Sequence, residues 1–326
     1  MAIDLPEIST DQLLNMRPSR NDLDPFRPYH FLVEQEFSAH GSLGNVATLF
    51  LTNRECPFHC VMCDLWKNTL TSTVPDSAIP TQVLYALQEL EIDPMAPMSV
   101  PDIKLYNSGN FFDTRAIPKD QRTELGQIVS RFRTVVVENH PAFCDDQCAE
   151  FNNLLDGQLE VAIGLETIHP DILPWLNKQM TIESFREAVE RLTSSGIRVR
   201  TFILLRPPGL TEAEGIHWAV RSIEFAFDCG VECCSIVPVR SGNGALDQLQ
   251  ETGKFTTTTI NSMEEVLERG LELKRGRVFI DLWDVEQFYR CKSCSEQRAA
   301  RIHQMNTTQT VTNPVVCQIN CAGRSE

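Results

Sequence analysis

Short apolar segments alternate with amphipathic segments along the middle of the chain. Six of the apolar segments are rich in strand-forming residues and predict strands, at residues 45–52, 102–108, 133–138, 159–166, 199–205 and 232–239. Strands that alternate with helices in this way are typical of parallel βαβ units. The pattern therefore predicts the α/β fold class and, with six repeats, a partial (β/α)6 TIM-type barrel.

Two of the segments between these strands have the periodicity of amphipathic helices. Residues 181–195 place their apolar side chains on one face before a stop at Gly196, namely Phe185, Ala188, Val189 and Leu192. The next segment begins with the capping box Thr211-Glu-Ala-Glu214 and ends at Gly230. Both segments are therefore expected to form helices of the βαβ repeat.

The two ends of the chain lack this alternation. Residues 1–44 are polar and contain several prolines, so we expect an N-terminal arm there. Residues 45–245 carry the strand–helix repeat and form the predicted core barrel. Residues 246–326 form the predicted C-terminal extension, which contains paired cysteines suited to a metal site.

The composition is that of an ordinary globular protein: of 326 residues, 42% are hydrophobic and 22% are charged. No apolar run reaches the length of a membrane span and the first residues do not resemble a signal peptide, so we expect a cytoplasmic protein with no membrane partner. The net charge of −15 gives no overall attraction to nucleic acid, although a local basic patch would still allow binding. Twelve cysteines favour metal ligation in a reducing compartment over disulfides.

Three of the cysteines lie in one short run, Cys56-Pro-Phe-His-Cys60-Val-Met-Cys63. Three thiolates at this spacing can hold three corners of a cubic iron–sulfur cluster and leave the fourth iron open to a small molecule. A zinc knuckle or a chance grouping of cysteines is the alternative. The run follows the first predicted strand.

Unusual polar residues also follow the other predicted strands. They are the turn at 107–110, Glu138, Glu166, Arg206 and the Pro238-Val-Arg240 segment. In parallel α/β barrels the C-terminal ends of the strands meet at one rim, and that rim carries the chemistry. We therefore expect these residues and the cysteine run to form one site.

The spacing of the three cysteines resembles that of the radical S-adenosylmethionine (radical SAM) superfamily, with Met62 in place of the usual aromatic residue. The resemblance implies a 4Fe-4S cluster held by Cys56, Cys60 and Cys63, with S-adenosyl-L-methionine chelating the open iron. It also implies that the cofactor is cleaved to a 5′-deoxyadenosyl radical, which abstracts hydrogen from a substrate. An electron donor such as flavodoxin or ferredoxin would supply the electron.

The same resemblance assigns roles to two strand ends. The turn formed by Asn107, Ser108, Gly109 and Asn110 aligns with the family's turn that receives the amino group of the cofactor, although only one glycine of the usual pair is present. Glu138 matches an acidic residue of a cofactor-binding turn in one subgroup. A plain tight turn and a solvated carboxylate are the alternatives.

Four further residues are assigned to cofactor binding by the resemblance. Glu166 matches an acid that bonds the ribose hydroxyls, and a carboxylate accepts such bonds well. Arg206 is placed to pair with the cofactor's carboxylate, with a plain surface arginine as the alternative. Val237 and Pro238 occupy the positions where the family packs the adenine.

Within the superfamily the chain resembles the radical SAM subunit of archaeosine synthase and the elongator-catalytic-subunit-like enzymes. The shared motifs lie at residues 107–113, 163–167, 177–178 and 204–208. Those relatives act on tRNA, and we expect a bacterial-type branch of the group. The substrate expected here is a modified tRNA nucleotide or a small metabolite.

Four cysteines beyond the predicted barrel form a second candidate metal site: Cys291, Cys294, Cys317 and Cys321. Paired thiolates on turns can bind zinc or an auxiliary iron–sulfur cluster, and His303 lies between the pairs as a substitute ligand. Unliganded thiols are the alternative. If neither cysteine group supports catalysis, the chain would instead be a non-catalytic zinc-binding or interaction protein.

Overall fold

In the computed structural model, which describes residues 4–94, 96 and 99–319, eight strands form one curved sheet in chain order. The strands are β1 His30–Phe37, β2 Leu43–Phe50, β3 Asp102–Tyr106, β4 Thr134–Asn139, β5 Gln158–Glu166, β6 Arg198–Leu205, β7 Cys233–Pro238 and β8 Arg277–Ile280. β1 pairs with β2 antiparallel, and every later pair is parallel. The predicted α/β class and partial TIM-type barrel are confirmed.

Helices lie between consecutive parallel strands, with one helix before β1 and one after β8. They are α1 Thr10–Met16, α2 Ala78–Glu89, α3 Lys119–Val129, α4 Asp146–Asn152, α5 Ile172–Trp175, α6 Ile182–Ser194, α7 Glu212–Asp228, α8 Ala245–Glu251, α9 Ile260–Glu272 and α10 Ser295–Thr308. None of the helices in the described ranges is long and apolar enough to cross a membrane.

The six predicted strands are β2 to β7, each within two residues of its predicted ends. The sheet has two strands more than predicted, because β1 lies in the segment expected to be an arm and β8 in the segment expected to be an extension. β1 has three consecutive polar residues, Glu34-Gln35-Glu36, and is only partly buried, and β8 has only four residues. The division into segments 1–44, 45–245 and 246–326 stays a prediction.

Both predicted helices begin where their capping residues place them. Thr181 accepts the backbone N–H of Ser184 at the start of α6, and Thr211 does the same for Glu214 at the start of α7. The predicted apolar face of α6 is buried. These caps satisfy N–H groups that have no partner within the helix.

Charged side chains fill the barrel interior near the N-terminal ends of the parallel strands. Arg200 donates through Nε to Glu160, at 2.6 Å, and through Nη2 to Glu36, at 2.5 Å. Lys104 and Arg277 add further ion pairs with the same two carboxylates. Burial alone would raise the pKa of Glu36, but Arg200 and Lys104 hold it well below its usual range. Because Glu36 belongs to β1 and Arg200 to β6, the network links distant strands across the interior and stabilises the curvature of the sheet.

Helix α10 covers the open edge of the sheet at β8. Asn306 bonds both backbone groups of Ile280, at 3.0 and 2.8 Å, and Gln309 bonds both backbone groups of Val278, at 2.8 and 2.9 Å. Two amide side chains thereby replace a ninth strand, and α10 also packs against β1. An exposed sheet edge invites aggregation, so this cover protects the fold.

Candidate functional site

The cysteine run lies in the loop that follows β2, and segments after β5 and β7 fix its path. Val61 donates its N–H to the carbonyl of Leu176, at 3.0 Å. The Asn177 side chain donates to the carbonyl of His59, at 2.8 Å, and Asn243 donates to the carbonyl of Val61, also at 2.8 Å. Three separate strand ends therefore meet at this loop, as expected for a functional rim of a parallel barrel.

The three thiols of the loop are free and partly buried. Burial raises the pKa of Cys56 and Cys63, and it raises that of Cys60 to about 12, while the Lys178 ammonium opposes the rise at Cys56 and Cys60. Asn110 donates its Nδ2 to the Cys56 Sγ at 3.2 Å. The turn after β3 thus touches the cysteine run, as the shared rim predicts.

Glu138 supports the turn after β3 through hydrogen bonds to the backbone of that turn. Its Oε2 accepts the N–H of Asn107 at 2.9 Å, and the N–H groups of Ser108 and Gly109 also point to its carboxylate. Burial raises the pKa of Glu138 to about 7 in spite of these bonds. The structure therefore places Glu138 beneath the turn, where it orients the backbone.

Glu166 forms a buried ion pair with Lys178, with the Glu166 Oε1 and Lys178 Nζ atoms 2.6 Å apart. Glu166 is the last residue of β5, and its backbone is in the left-handed region with φ of 66°. This conformation turns its side chain back over the strand. Gly164 lies against the pair, because a Cβ there would meet the Glu166 Oε1 and the Lys178 Nζ and the two side-chain ends would have to shift. The role of Lys178 as partner of Glu166 was not predicted, although residues 177–178 were recognised as a motif.

Arg206 is engaged within the protein. It forms an ion pair with Glu212 at the start of α7 and donates to the carbonyl of Thr257 at 3.0 Å. Its φ of 55° is in the left-handed region, and Gly215 leaves room for its Cβ. The predicted contact between Arg206 and a cofactor carboxylate stays a prediction.

The end of β7 contributes apolar surface near the cysteine run. Val237 packs in a hydrophobic cluster that includes Met62 of the run and Leu204 of β6. Pro238 is buried at the last position of the strand. An apolar cluster beside the cysteines is what packing of an adenine would require.

A stacked ring pair, not predicted from the sequence, lies beside the cysteine run. The ring of Phe58 stacks on His140 with centroids 4.0 Å apart, and His140 Nε2 lies 3.0 Å from the carbonyl of Lys178. Burial lowers the pKa of His140 to about 4, so the ring is neutral near pH 7. The pair packs the run against the segments that follow β4 and β5.

The spacing of the thiols distinguishes the two cysteine groups. Four ligands of one tetrahedral zinc ion, each at about 2.3 Å, lie about 3.8 Å from one another. Among the described residues, the only set of three potential ligands within 4.8 Å of one another is Cys291, Cys294 and Cys317. The thiols of the N-terminal run are spread wider, which fits a cluster in which each thiolate binds a different iron.

The C-terminal set lies at the N-terminus of α10. The Sγ atoms of Cys291 and Cys317 are 3.7 Å apart, and Arg298 donates its Nε to the Sγ of Cys294 at 3.4 Å. Cys321, the fourth predicted ligand, lies outside the described residues. His303 is exposed on α10 and is not part of the set.

No protein-family model matches the chain. An uncharacterized protein of Methanocaldococcus jannaschii is 23% identical in an alignment of 318 positions that covers 91% of this chain and 85% of the relative. The archaeosine synthase subunit beta of Methanosarcina acetivorans is 23% identical, over 67% of this chain and 66% of the relative. That of Thermococcus kodakarensis is 29% identical, over 50% of this chain and 51% of the relative.

Two solved structures are also similar to the chain. The archaeal Elp3 of Methanocaldococcus infernus with an N-terminal deletion is 14% identical, with a TM-score of 0.48 over 73% of this chain and 59% of that chain. The radical S-adenosylmethionine methyltransferase TsrM of Kitasatospora setae is 16% identical, with a TM-score of 0.47 over 64% of this chain and 39% of that chain. The two archaeosine synthase subunits, together with the cysteine motif, confirm the predicted resemblance of this chain to the radical SAM superfamily and, within it, to archaeosine synthase subunit beta.

Proposed function

We propose that the chain is a radical SAM enzyme that holds a 4Fe-4S cluster at Cys56, Cys60 and Cys63 and binds S-adenosyl-L-methionine on the adjoining rim. When bound, the cluster and the cofactor supply a one-electron cleavage that yields a 5′-deoxyadenosyl radical able to abstract hydrogen from a substrate. The observation that carries this proposal is the convergence of widely spaced free thiols with the ends of β3, β5 and β7.

The turn at 107–110 and the Glu166–Lys178 pair are the polar parts of the proposed cofactor site. The turn offers backbone carbonyls and small side chains to the cofactor's amino group, while Glu138 keeps its N–H groups turned away from that surface. Lys178 Nζ donates to the Glu166 Oε1, which fixes the position of a carboxylate that could accept ribose hydroxyls.

The apolar parts of the proposed site come from β7 and the cysteine run. Val237 and Pro238 provide a surface for the adenine, and Met62 packs in the same cluster as Val237. Apolar walls exclude water and solvent hydrogen donors from a reactive radical, so the radical meets the substrate first. Arg206 is proposed as the partner of the cofactor's carboxylate, which would require exchange of its bond to Glu212.

Two observations bear on the substrate and favour different classes. The similarity to archaeosine synthase subunits favours a modified tRNA nucleotide, whereas the net charge of −15 favours a small metabolite. Binding of unmodified tRNA should weaken steeply with salt if the first is right. If unmodified tRNA does not bind even at low salt, a small metabolite is the remaining substrate class. A one-electron donor such as flavodoxin or ferredoxin, and a reducing compartment such as the cytoplasm, belong to the same proposal.

We also propose a second metal at the C-terminal cysteines, with zinc or an auxiliary iron–sulfur cluster as the candidates. Cys291, Cys294 and Cys317 support it by their proximity, and Cys321 was predicted as the fourth ligand.

Electron paramagnetic resonance of the anaerobically reconstituted, reduced protein tests the radical SAM proposal. We expect a signal from the reduced cluster that changes when S-adenosyl-L-methionine is added, because the cofactor binds the open iron. Cys60→Ser should lose the signal, and Cys229→Ser, a half-buried thiol outside both cysteine groups, should retain it. A cluster signal that is unchanged by the cofactor would contradict the proposal.

The alternative is a non-catalytic zinc-binding or interaction protein. It predicts a colourless protein that holds zinc at Cys56, Cys60 and Cys63 and takes up no iron during reconstitution. The wide spacing of these three thiols disfavours it, since a single ion draws its ligands together.

A further inference from the structure

We infer that Cys291, Cys294 and Cys317 bind a single zinc ion. The ion would attach the segment after α10 to the N-terminus of α10, the helix that covers the edge of the sheet at β8. This inference makes the second metal of the proposed function specific, and it is independent of radical chemistry. The zinc would be a structural ion that stabilises the position of α10.

The distance between two thiols carries the choice of a single ion. The Sγ atoms of Cys291 and Cys317 are 3.7 Å apart, against about 3.8 Å between two ligands of a tetrahedral zinc ion. A disulfide would require about 2.05 Å. In a 4Fe-4S cluster each thiolate binds a separate iron, so the sulfurs lie farther apart than those on one ion.

The three thiols lie near positive charge, which suits them to bind a metal ion as thiolates. Cys294 occupies the position just before α10, where the positive end of the helix dipole stabilises negative charge. Arg298 donates to the Cys294 Sγ and also pairs with Glu264. Three thiolates around a divalent ion carry one net negative charge, which the Arg298 guanidinium offsets.

The chain after α10 runs back along that helix to the cysteines. Arg301 donates to the carbonyl of Thr312, and Arg298 lies 3.5 Å from the carbonyl of Val315. Cys317 follows two residues later and meets Cys291. A zinc ion shared by Cys317 and the start of α10 therefore closes a loop that contains the whole helix.

The helix inside this loop is the one whose Asn306 and Gln309 side chains cover β8. The backbone N–H groups of Val278 and Ile280 depend on those two side chains. Removal of the ion should therefore loosen α10 and expose the edge of the sheet, while the strands at the centre of the sheet stay protected.

Metal analysis and zinc X-ray absorption test the inference. The wild type is expected to hold about one zinc per chain with sulfur ligands near 2.3 Å. A variant with Cys56, Cys60 and Cys63 all changed to serine should keep this zinc, so failure of the radical SAM proposal would not affect the result. Cys317→Ser should lower the zinc content at least about tenfold, whereas Cys229→Ser should not change it.

Hydrogen exchange tests whether the zinc ion stabilises α10 against β8. Chelation of zinc from the wild type should speed exchange at Val278 and Ile280 by at least about tenfold and leave β5 unchanged. Because this measurement needs no substitution, it holds even if a cysteine variant fails to fold. Iron and sulfide at these cysteines in the triple serine variant, zinc retained in Cys317→Ser, or unchanged exchange at β8 after zinc removal would each overturn the inference.

Discussion

Replacement of Glu138 by glutamine is expected to remove a pH-dependent loss of stability. Desolvation in the folded protein raises the pKa of this partly buried carboxyl from 4.5 to about 7. Between these two values the folded state holds a proton that the unfolded chain releases. The unfolded state then binds fewer protons, so the free energy of unfolding falls as the pH rises from about 4.5 to about 7 and is level above it.

The size of the effect follows from the two pKa values. Each pKa unit corresponds to about 1.4 kcal/mol, so the full loss is at most about 3.5 kcal/mol. With an unfolding entropy of about 2 cal/mol/K per residue, a chain of 326 residues would lose about 5 °C of melting temperature. The glutamine side chain would keep an oxygen that accepts the N–H of Asn107, so the turn should persist in the variant.

The assay is the melting temperature of wild type and Glu138→Gln from pH 4.5 to 8. We expect the melting temperature of the wild type relative to the variant to fall by several degrees up to about pH 7. Glu190→Gln, an exposed glutamate on α6, provides the matched control and should follow the wild type. A constant difference between wild type and Glu138→Gln across this range would refute the account of Glu138.

Two further substitutions test the buried charges. Gly164→Ala would bring a methyl group against the flexible ends of Glu166 and Lys178, so the pair should shift and urea unfolding should show a loss of at most about 1 kcal/mol. A larger loss would show that the surrounding residues hold the pair rigidly. Arg200→Met should cost about 3–5 kcal/mol in the same assay, because Glu160 and Glu36 would lose a shared partner. A loss below about 1 kcal/mol would show that the carboxylates accept a proton or rearrange instead.

The sequence pattern predicted the parallel strands because they are largely buried on both faces and are therefore rich in strand-forming apolar residues. β1 escaped prediction because its polar residues face partners far along the chain: Glu36 meets Arg200, which is 164 positions away. No local pattern reveals such a pair. β8 escaped because four residues are too few for a periodic signal.

The site was predictable as a set of strand ends, but not as a set of contacts. The topology rule brought the residues after the strands to one rim, and the structure joins the turn after β3 to Cys56. The rule does not say which neighbour a side chain chooses. Arg206 pairs with Glu212 at the start of α7, and Glu138 accepts N–H groups of the turn after β3. Both contacts depend on the paths of loops, which only the folded chain defines.

Formation of 5′-deoxyadenosine is the measurement that tests the central claim most directly. The anaerobically reconstituted protein, mixed with S-adenosyl-L-methionine and dithionite, should release 5′-deoxyadenosine. Cys60→Ser should release none, and Cys317→Ser should retain at least part of the activity, since that thiol lies in the other cysteine group. A wild-type sample with an intact cluster that yields no 5′-deoxyadenosine would contradict the claim that this chain is a radical SAM enzyme.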